Sequence, residues 1–516
     1  MDPFTYFLPA AFNQKKLLKN IPSEPQYGLS LEKTEVWQGI LLDTFDEKML
    51  GSNNMLFQVG ERLLCFDLQS GQLIEQASPE TWSFSFDLPD GPVTSILKGI
   101  SSLRAFLPVA KVELYLQHGT LLDDERKTRA RLHHLTISRG GKTVGVGSAQ
   151  YLRGYDQAHA DLCQSLEKLG AVSRGDVGQV YEFLKIKREK YISKPVVRLN
   201  PDAPVKESAQ TIINAFLKIA RRNEKGIIAD YDTEFLHDYR VGLRKVRSVL
   251  SLFKGVYSPE DTDRLKQDFA SLMQKTNSLR DLDVYLLNKK QYFELVPEDT
   301  HEGLEILFHY FAGERRKEQK LVGQIIKNKA YLKEIDRLQK LFAESSALIA
   351  GPKGEEQSIS FACRSVLKRY GKVCSIARGI DEKTEDEAIH QLRINCKKLR
   401  YLIEFFAPIF PENEIKTLIK SLKALQDNLG NFNDYSVQQT FLRQVLSEKM
   451  GGFGGTELKV AESVGALTAM LNRLQQKERR QVMKNFALFD NSETRATLAK
   501  LFNTKESVHE NNRLLQ

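Results

Sequence analysis

The stretch that decides the fold is LHDYRVGLRKVR, at residues 236–247. Its pattern returns as IHQLRINCKKLR at residues 389–400. His237 and His390 are 153 positions apart, and the cations that follow each histidine by 3, 7, 8 and 10 residues keep that spacing. The sequence therefore contains an internal duplication.

Both copies have the period of an amphipathic helix. At about 100° per residue, the cations at +3, +7 and +10 fall within roughly 60° of one another, and the apolar residues at +6, +9, +12, +13 and +16 cover an adjacent face. Each copy therefore predicts a helix with a core face beside a narrow basic stripe. The predicted core residues are Leu243, Val246, Val249, Leu250 and Phe253 in the first copy and Cys396, Leu399, Leu402, Ile403 and Phe406 in the second.

A second marker extends the repeat beyond these helices. Asp281, in the sequence RDLDV, matches Asp434, in NDYSV, and each aspartate follows its histidine by 44 residues. Two helical units of matched length, each too small to bury its own apolar face, are expected to pair about a pseudo-twofold axis. The two basic stripes would then face a common cavity. The aspartates are expected to cap helices or to orient arginines.

Composition bounds the class of protein. A chain of 516 residues is too long for one ordinary core, and 41% hydrophobic with 27% charged residues is typical of a globular protein. No run approaches the length of a membrane span, and the N-terminus lacks the pattern of a signal peptide, so we expect a cytoplasmic protein. The five cysteines form no CxxC pair, and neither a metal site nor a cofactor is predicted.

Charge is unevenly distributed along the chain. Residues 1–195 carry 23 basic and 23 acidic residues, so the rest of the chain supplies the whole net charge of +9. Because this excess is concentrated in stripes, it predicts a polyanionic partner.

The chain divides at a proline-rich segment. Residues 1–150 read as an antiparallel sheet or barrel with one or two helices, and the pattern turns helical from about Tyr151 to Lys194, so residues 1–195 read as an α+β domain. The linker spans 196–206, and three prolines between Lys194 and Pro204 end any helix there. Residues 207–510 read as all-α, with a first repeat at about 207–350 and a second at about 357–510.

One segment of the N-terminal domain resembles a known family. LLDTFD at residues 41–46, followed by Leu50, looks like an element of the CYTH (triphosphate tunnel) fold, and segments 124–132 and 152–155 resemble later parts of it. Active members of that family begin with an ExExK strand, whose carboxylates hold a metal and whose lysine holds the triphosphate. Nothing before Asp43 fits this pattern. We therefore expect a degenerate, non-catalytic relative.

The helical repeats resemble a second family. HxxRVxxRKxR, its copy HxxRxxxKKLRY and NSLRDLDV at residues 277–284 are together similar to the CHAD domain, over roughly residues 205–510. The resemblance implies two four-helix bundles related by a pseudo-twofold axis, and a basic channel that binds inorganic polyphosphate without catalysis. The residues that match the motif are His237, Arg240, Arg244, Lys245, Arg247, His390, Arg393, Lys397, Lys398 and Arg400. Further candidates on neighbouring helices are Lys218, Arg221, Arg222, Arg364, Lys368, Lys372, Lys420 and Lys423.

The residue types suit this ligand. A linear chain of phosphates needs many cations in a row, and arginine binds phosphate oxygens with two parallel donors while lysine adds a mobile point charge. Two alternatives remain. One is hydrolysis of triphosphate or polyphosphate by the N-terminal domain. The other is nucleic-acid binding, which the lack of interleaved aromatic and base-reading side chains disfavours. No membrane partner is expected, polyphosphate granules are a candidate location, and the oligomeric state is left open.

Overall fold

A computed structural model describes residues 4–22, 27–173, 175–188, 190–344, 348–381, 383–449 and 453–503. The chain forms two compact units, Met1–Ser193 and Lys194–Gln516. The predicted end of the second repeat, at residue 510, lies outside the described residues. In the described parts of the chain, no helix is both long and apolar enough to cross a membrane.

The N-terminal unit is built on one antiparallel sheet, as predicted. The strands are β1 (Phe4–Leu8), β2 (Gly28–Leu31), β3 (Glu35–Thr44), β4 (Asn54–Val59), β5 (Arg62–Asp67), β6 (Gln72–Ala77), β7 (Phe106–Leu122), β8 (Thr128–Arg139), β9 (Lys142–Gln150) and β10 (Val172–Ser173). Their order in the sheet is β10-β1-β9-β8-β7-β3-β4-β5-β6, and β2 pairs with β7. The helices are α1 (Gln14–Asn20), α2 (Lys48–Gly51), α3 (Pro92–Ile100), α4 (Asp156–Lys168) and α5 (Val177–Phe183).

Apolar side chains cover both faces of this sheet. Successive residues of a strand point to opposite faces, and on β3 Leu41 joins one buried cluster whereas Leu42 joins another. The first cluster includes Phe57 and is covered by α5, and the second packs against α3. A third cluster, around Leu132, packs against α4. The unit is therefore an antiparallel sheet domain consistent with a CYTH-like fold, with apolar packing on both of its faces.

The motif aspartate of the N-terminal unit holds a turn. Asp43 is buried, and its carboxylate accepts hydrogen bonds from the backbone N–H groups of Thr44 (2.7 Å), Met49 (2.8 Å) and Leu50 (3.1 Å). Burial raises the pKa of Asp43 to about 6, against the opposing effect of these three donors. The carboxyl therefore fixes the passage from β3 into α2.

The C-terminal unit is helical and follows the predicted repeat. The helices of the first repeat are α6 (Val205–Ala229), α7 (Thr233–Leu252), α8 (Pro259–Gln274), α9 (Asn277–Leu287), α10 (Lys289–Leu295), α11 (His301–Lys327) and α12 (Lys329–Ala343). Those of the second are α13 (Ser358–Arg378), α14 (Asp386–Phe406), α15 (Glu412–Lys449), α16 (Glu457–Phe489) and α17 (Ser492–Phe502). α13, α14 and α15 begin 153 residues after α6, α7 and α8.

Equivalent positions of the two repeats contact each other. Pro204 forms an antiparallel bridge with Gln357, just before α6 and α13. The rings of Phe253 and Phe406 stack with centroids 4.9 Å apart, and the hydroxyl of Tyr285 donates to the carbonyl of Gln438 at 3.3 Å. Each pair is separated by 153 residues. Residues that contact their own equivalents lie beside a twofold axis. These three pairs therefore mark a pseudo-twofold axis.

The motif helices bury the predicted faces. All ten core residues predicted on α7 and α14, and directly after α7, are buried, with exposed fractions of 2% or less. This confirms the helical period on which the prediction of the basic stripes depended.

Candidate anion-binding site

Two helix starts set the direction of the motif side chains. The carboxylate of Asp232 caps α7 by accepting from the backbone N–H groups of Glu234 and Phe235, at 2.9 and 3.2 Å. α14 has acidic Asp386 and Glu387 in its first turn, which the helix dipole favours. From these starts, residues four apart on one helix lie on the same face. Arg240 and Arg244 are such a pair on α7, and Arg393 and Lys397 on α14.

Arg240 is held inside the protein by neutral acceptors. It is 8% exposed, and its Nη1 donates to the hydroxyl of Thr276 at 2.7 Å and to the carbonyl of Met273 at 3.1 Å. Desolvation, followed by repulsion from Arg244, lowers the pKa of Arg240 to about 10, although Asp281 opposes the shift. Its buried Nε has no hydrogen-bond partner among the described residues. The guanidinium is thus fixed in position with an unused donor.

Arg244 and Lys397 occupy equivalent positions and lie near each other. Lys397 is exposed as a whole residue, and its ammonium lies 5.8 Å from the centroid of the Tyr401 ring. Desolvation of that ammonium, then repulsion from Arg244 and Arg393, lowers the pKa of Lys397 to about 8. Desolvation also lowers the pKa of half-buried Arg244. The two basic stripes therefore converge at the pseudo-twofold axis.

Arg280 joins this group, and the sequence did not single it out. It is half-buried on α9, repels both Arg240 and Arg244, and has a buried Nη1 without a hydrogen-bond partner among the described residues. Comparison of the repeats conceals it, because its equivalent in the second copy is the neutral Asn433. We call Arg240, Arg244, Arg280, Arg393 and Lys397 the axial cation cluster.

The second repeat arranges its motif residues differently. His390 donates from Nδ1 to the side-chain oxygen of Asn433 at 3.0 Å, because an amide oxygen can only accept. Nε2 of His390 is then an acceptor in the neutral ring and a second donor in the protonated one. Arg393 lies 3.9 Å from Asp434, whose side chain is 64% exposed, so this pair is loose. His237, the equivalent histidine of α7, is half-buried.

The other motif cations have different surroundings. Lys245 and Arg400 both bind the carboxylate of Glu404, and the Lys245 ammonium also lies 4.0 Å from the centroid of the Tyr401 ring. Arg247 lies against the sulfur of Met273, at 3.7 Å. Lys398 lies on another side of α14, beside cations of α13. The structure therefore brings four of the ten motif residues into the cluster, and a role in binding for the others stays a prediction.

The further candidates lie on neighbouring helices. Arg221 pairs with Asp336 at 3.0 Å and with Glu224 at 3.6 Å, and Arg364 pairs with Glu356, so these two arginines have counterions within the protein. Arg222 is half-buried. The remaining candidates are exposed lysines: Lys218, Lys368, Lys372, Lys420 and Lys423.

A structural arginine of the same unit shows what is unusual about the cluster. Arg315 is also largely buried, but it forms ion pairs with Asp230 and with Asp283 at 2.9 Å. A buried cation without a counterion is costly, and cations kept in this condition are typical of binding sites. Asp281, Asp283 and Asp434 are the acids that interact with the axial cation cluster in the described chain, and Asp283 is already paired with Arg315. The five cations therefore exceed the acids beside them.

Comparison with a family model agrees with the resemblance of the helical repeats. Residues 211–443 match the family model of the CHAD domain. The crystal structure of the CHAD domain from the plant Ricinus communis is 25% identical, with a TM-score of 0.46, and the match covers 60% of this chain and 96% of that one. PptA from Streptomyces chartreusis is 12% identical, with a TM-score of 0.44, and covers 55% of this chain and 99% of its own. No curated protein matches the chain.

Proposed function

Residues 211–443 form a CHAD domain, and we propose that this domain binds inorganic polyphosphate, without catalysis, on the axial cation cluster. The observation that carries the proposal is the convergence of cations from both repeats on the pseudo-twofold axis, with guanidinium donors of Arg240 and Arg280 unused. A ligand rich in anionic oxygens would supply the negative charge that these cations lack. That the cluster lines a channel between the repeats stays a prediction.

The chemistry of the cluster suits phosphate better than a carboxylate or a nucleobase. Its arginines offer several N–H donors from rigid helices, and phosphate oxygens accept such donors in pairs. Arg240 is already fixed by Thr276 and Met273, so binding would immobilise little additional side chain at that position. The side chains that would form one row along a polyphosphate chain are Arg240, Arg244, Arg280, Arg393 and Lys397.

The packing of the N-terminal unit supports the non-catalytic part of the proposal. Hydrolysis of a triphosphate requires charged groups around the reacting phosphates. Both faces of the sheet are instead covered by apolar clusters, and Asp43 accepts three backbone hydrogen bonds. We accordingly propose that binding, at polyphosphate granules in the cytoplasm, is the function of the chain, and that the N-terminal unit does not hydrolyse the ligand.

Calorimetric titration of the full chain with a defined long-chain polyphosphate tests the proposal. The variant R244A/K397A should bind roughly 100-fold more weakly or worse, because each charge-assisted hydrogen bond is worth about 1.5–3 kcal/mol. Its melting temperature should not fall, since the two side chains removed are desolvated cations without ion pairs among the described residues. Loss of binding without loss of stability separates a ligand site from a structural one.

The matched control is K289A/K459A. It removes the same charge from two lysines outside the axial cation cluster, which pair with Glu305 at 2.7 Å and Glu302 at 2.6 Å. Its affinity should stay close to that of the wild type, and excess DNA should displace little polyphosphate from either protein. Equal affinities of R244A/K397A and the control, or no binding by the wild type, would contradict the proposal. Phosphate released from polyphosphate by the pure wild type would contradict its non-catalytic part.

A further inference from the structure

The repeats place equivalent lysines in opposite surroundings. Lys245, on α7, binds the carboxylate of Glu404, and its ammonium lies 4.0 Å from the Tyr401 ring centroid and 5.2 Å from that of Phe405. Lys398 is its equivalent on α14. The charged groups that act on Lys398 are Arg369, Lys372 and Lys254, and all three are cations. One lysine is neutralised and covered, and the other is surrounded by like charge.

Helix geometry explains how this second group assembles. Nη1 of Arg369, on α13, donates to the side-chain oxygen of Asn395, on α14, at 2.7 Å. Lys398 follows Asn395 by three residues, and Lys372 follows Arg369 by three, so each lysine lies one turn from that contact. Lys254 is exposed and follows the end of α7. We call Lys254, Arg369, Lys372 and Lys398 the lateral cation cluster.

The lateral cation cluster is not a feature that the repeats share. The positions 153 residues from Arg369, Lys372 and Lys254 hold Phe216, Ile219 and Ala407. The counterion differs as well, because the equivalent of Glu404 in the first repeat is Ser251. One side of the pseudo-twofold axis has thus been closed by a carboxylate and aromatic rings, whereas the other has accumulated positive charge.

No acidic side chain of the described chain neutralises this cluster. None of its four members forms an ion pair with a described residue, and the side-chain contact of Arg369 is to a neutral amide. Lys254 and Lys372 are exposed, and Arg369 and Lys398 are half-buried. Desolvation, then repulsion from Arg369, lowers the pKa of Lys398. An ordinary solvated basic face would relieve such repulsion with nearby acids, as Lys245 and Arg400 do with Glu404.

We propose that the lateral cation cluster is a second phosphate-binding site, which takes the continuation of a polyphosphate chain held on the axial cation cluster. This inference rests on the proposed function. Lys397 of the axial cluster and Lys398 of the lateral cluster are consecutive on α14, so their side chains diverge by about 100° from neighbouring Cα atoms. A bound chain can therefore pass from one cluster to the other across α14. The equivalent route past Lys245 is closed, so the chain leaves the axis on one side.

The test compares a long and a short ligand on the full chain. The variant K254Q/K372Q/K398Q keeps Arg369 and its bond to Asn395, and the control K289Q/K459Q/K500Q removes three lysines that have glutamate partners. For long-chain polyphosphate, the slope of log affinity against log salt should fall by roughly three in the lateral variant, since each lost phosphate contact removes about one. Affinity at low salt should fall at least roughly tenfold. Tripolyphosphate, which is short enough for the axial cluster alone, should bind the variant and the control equally.

Other outcomes would overturn the inference in distinguishable ways. If the lateral variant and the control bind the long chain equally, the lateral cluster takes no phosphate. If tripolyphosphate binding falls as well, the lysines belong to the axial site and there is no second one. If inositol hexakisphosphate binding falls while long-chain binding does not, the cluster serves a separate compact ligand and not the same chain. If the wild type binds no polyphosphate, the proposed function itself fails.

Discussion

The two repeats hold equivalent arginines in different ways. In the first repeat the chain breaks between α8 and α9, and the Met273 carbonyl and the Thr276 hydroxyl at this break accept from Arg240. In the second repeat α15 continues through the equivalent positions, where Leu429 replaces Thr276. Arg393 is left with exposed Asp434 at 3.9 Å. A duplicated helix pair has thus kept its cations while one copy became rigid and the other stayed adjustable.

The largest effect is expected where the repeats are still alike. Phe253 and Phe406 stack on each other and are 2% and 0% exposed. F253A and F406A should each lower the free energy of unfolding by about 3–5 kcal/mol, because each leaves a cavity in a packed core. Denaturant titration measures both values, with F86A, an exposed ring at 65%, as the control. Clearly unequal costs would show that the stack does not lie on a symmetric contact.

Glu404 offers a way to remove one difference between the repeats. E404Q leaves Lys245 and Arg400 without their shared counterion, and should lower the free energy of unfolding by about 2–3 kcal/mol, less than for a fully buried pair because Glu404 keeps some exposure. The two released cations should also tighten the binding of long-chain polyphosphate. Denaturation and calorimetry on one preparation measure both effects. Weaker binding with unchanged stability would refute the interpretation that Glu404 neutralises these cations and closes the route past Lys245.

Thr276 tests the rigidity of the first repeat. T276V removes the hydroxyl that accepts from Arg240 at 2.7 Å and donates to the Met273 carbonyl at 2.8 Å, with little change in side-chain volume, and should cost about 1–1.5 kcal/mol of stability. Polyphosphate affinity should fall about three- to tenfold, since Arg240 loses part of its support. The matched control is T211V, whose hydroxyl donates to the carbonyl of Glu207 at 2.8 Å. An affinity equal to that of the control would mean that the break in the first repeat does not position Arg240.

The effect that is smallest near neutral pH is a dependence on pH that arises from Lys397. Its pKa is about 8 in the folded protein, below the ordinary 10.5. Between these values the unfolded chain holds the proton and the folded chain does not, so the contribution of Lys397 to stability rises with pH. Bound phosphate restores the proton, so affinity should fall over the same window, by at most about tenfold per pH unit. K397R, which supplies the arginine found in the first repeat, should show no such fall in affinity over this window. Parallel pH profiles of affinity for the wild type and K397R would contradict the prediction.

The sequence predicted the stripes but not the partners of their members. Helical period and duplication identified Arg240, Arg244, Arg393 and Lys397, because both signals are local. The counterion of Lys245 could not be predicted, since Glu404 lies on the other repeat and meets it only after the helices pack. Arg280 was concealed by Asn433 in the second copy. Arg369 carried no signal at all, because its equivalent is Phe216 and only the folded pair α13 and α14 brings it to Lys398.

The contacts beside the pseudo-twofold axis have a consequence for the origin of this architecture. Pro204 with Gln357, and Phe253 with Phe406, are pairings of a surface with its own copy. A single repeat would therefore carry a self-complementary face, and two separate copies could form an isologous dimer. In a dimer of two identical chains any substitution appears on both protomers. Glu404 could not then neutralise one lysine while the equivalent lysine stayed without a counterion. Joining the copies in one polypeptide removed that restriction. The surroundings of Lys245 and of Lys398, on the two sides of the proposed polyphosphate site, could then differ.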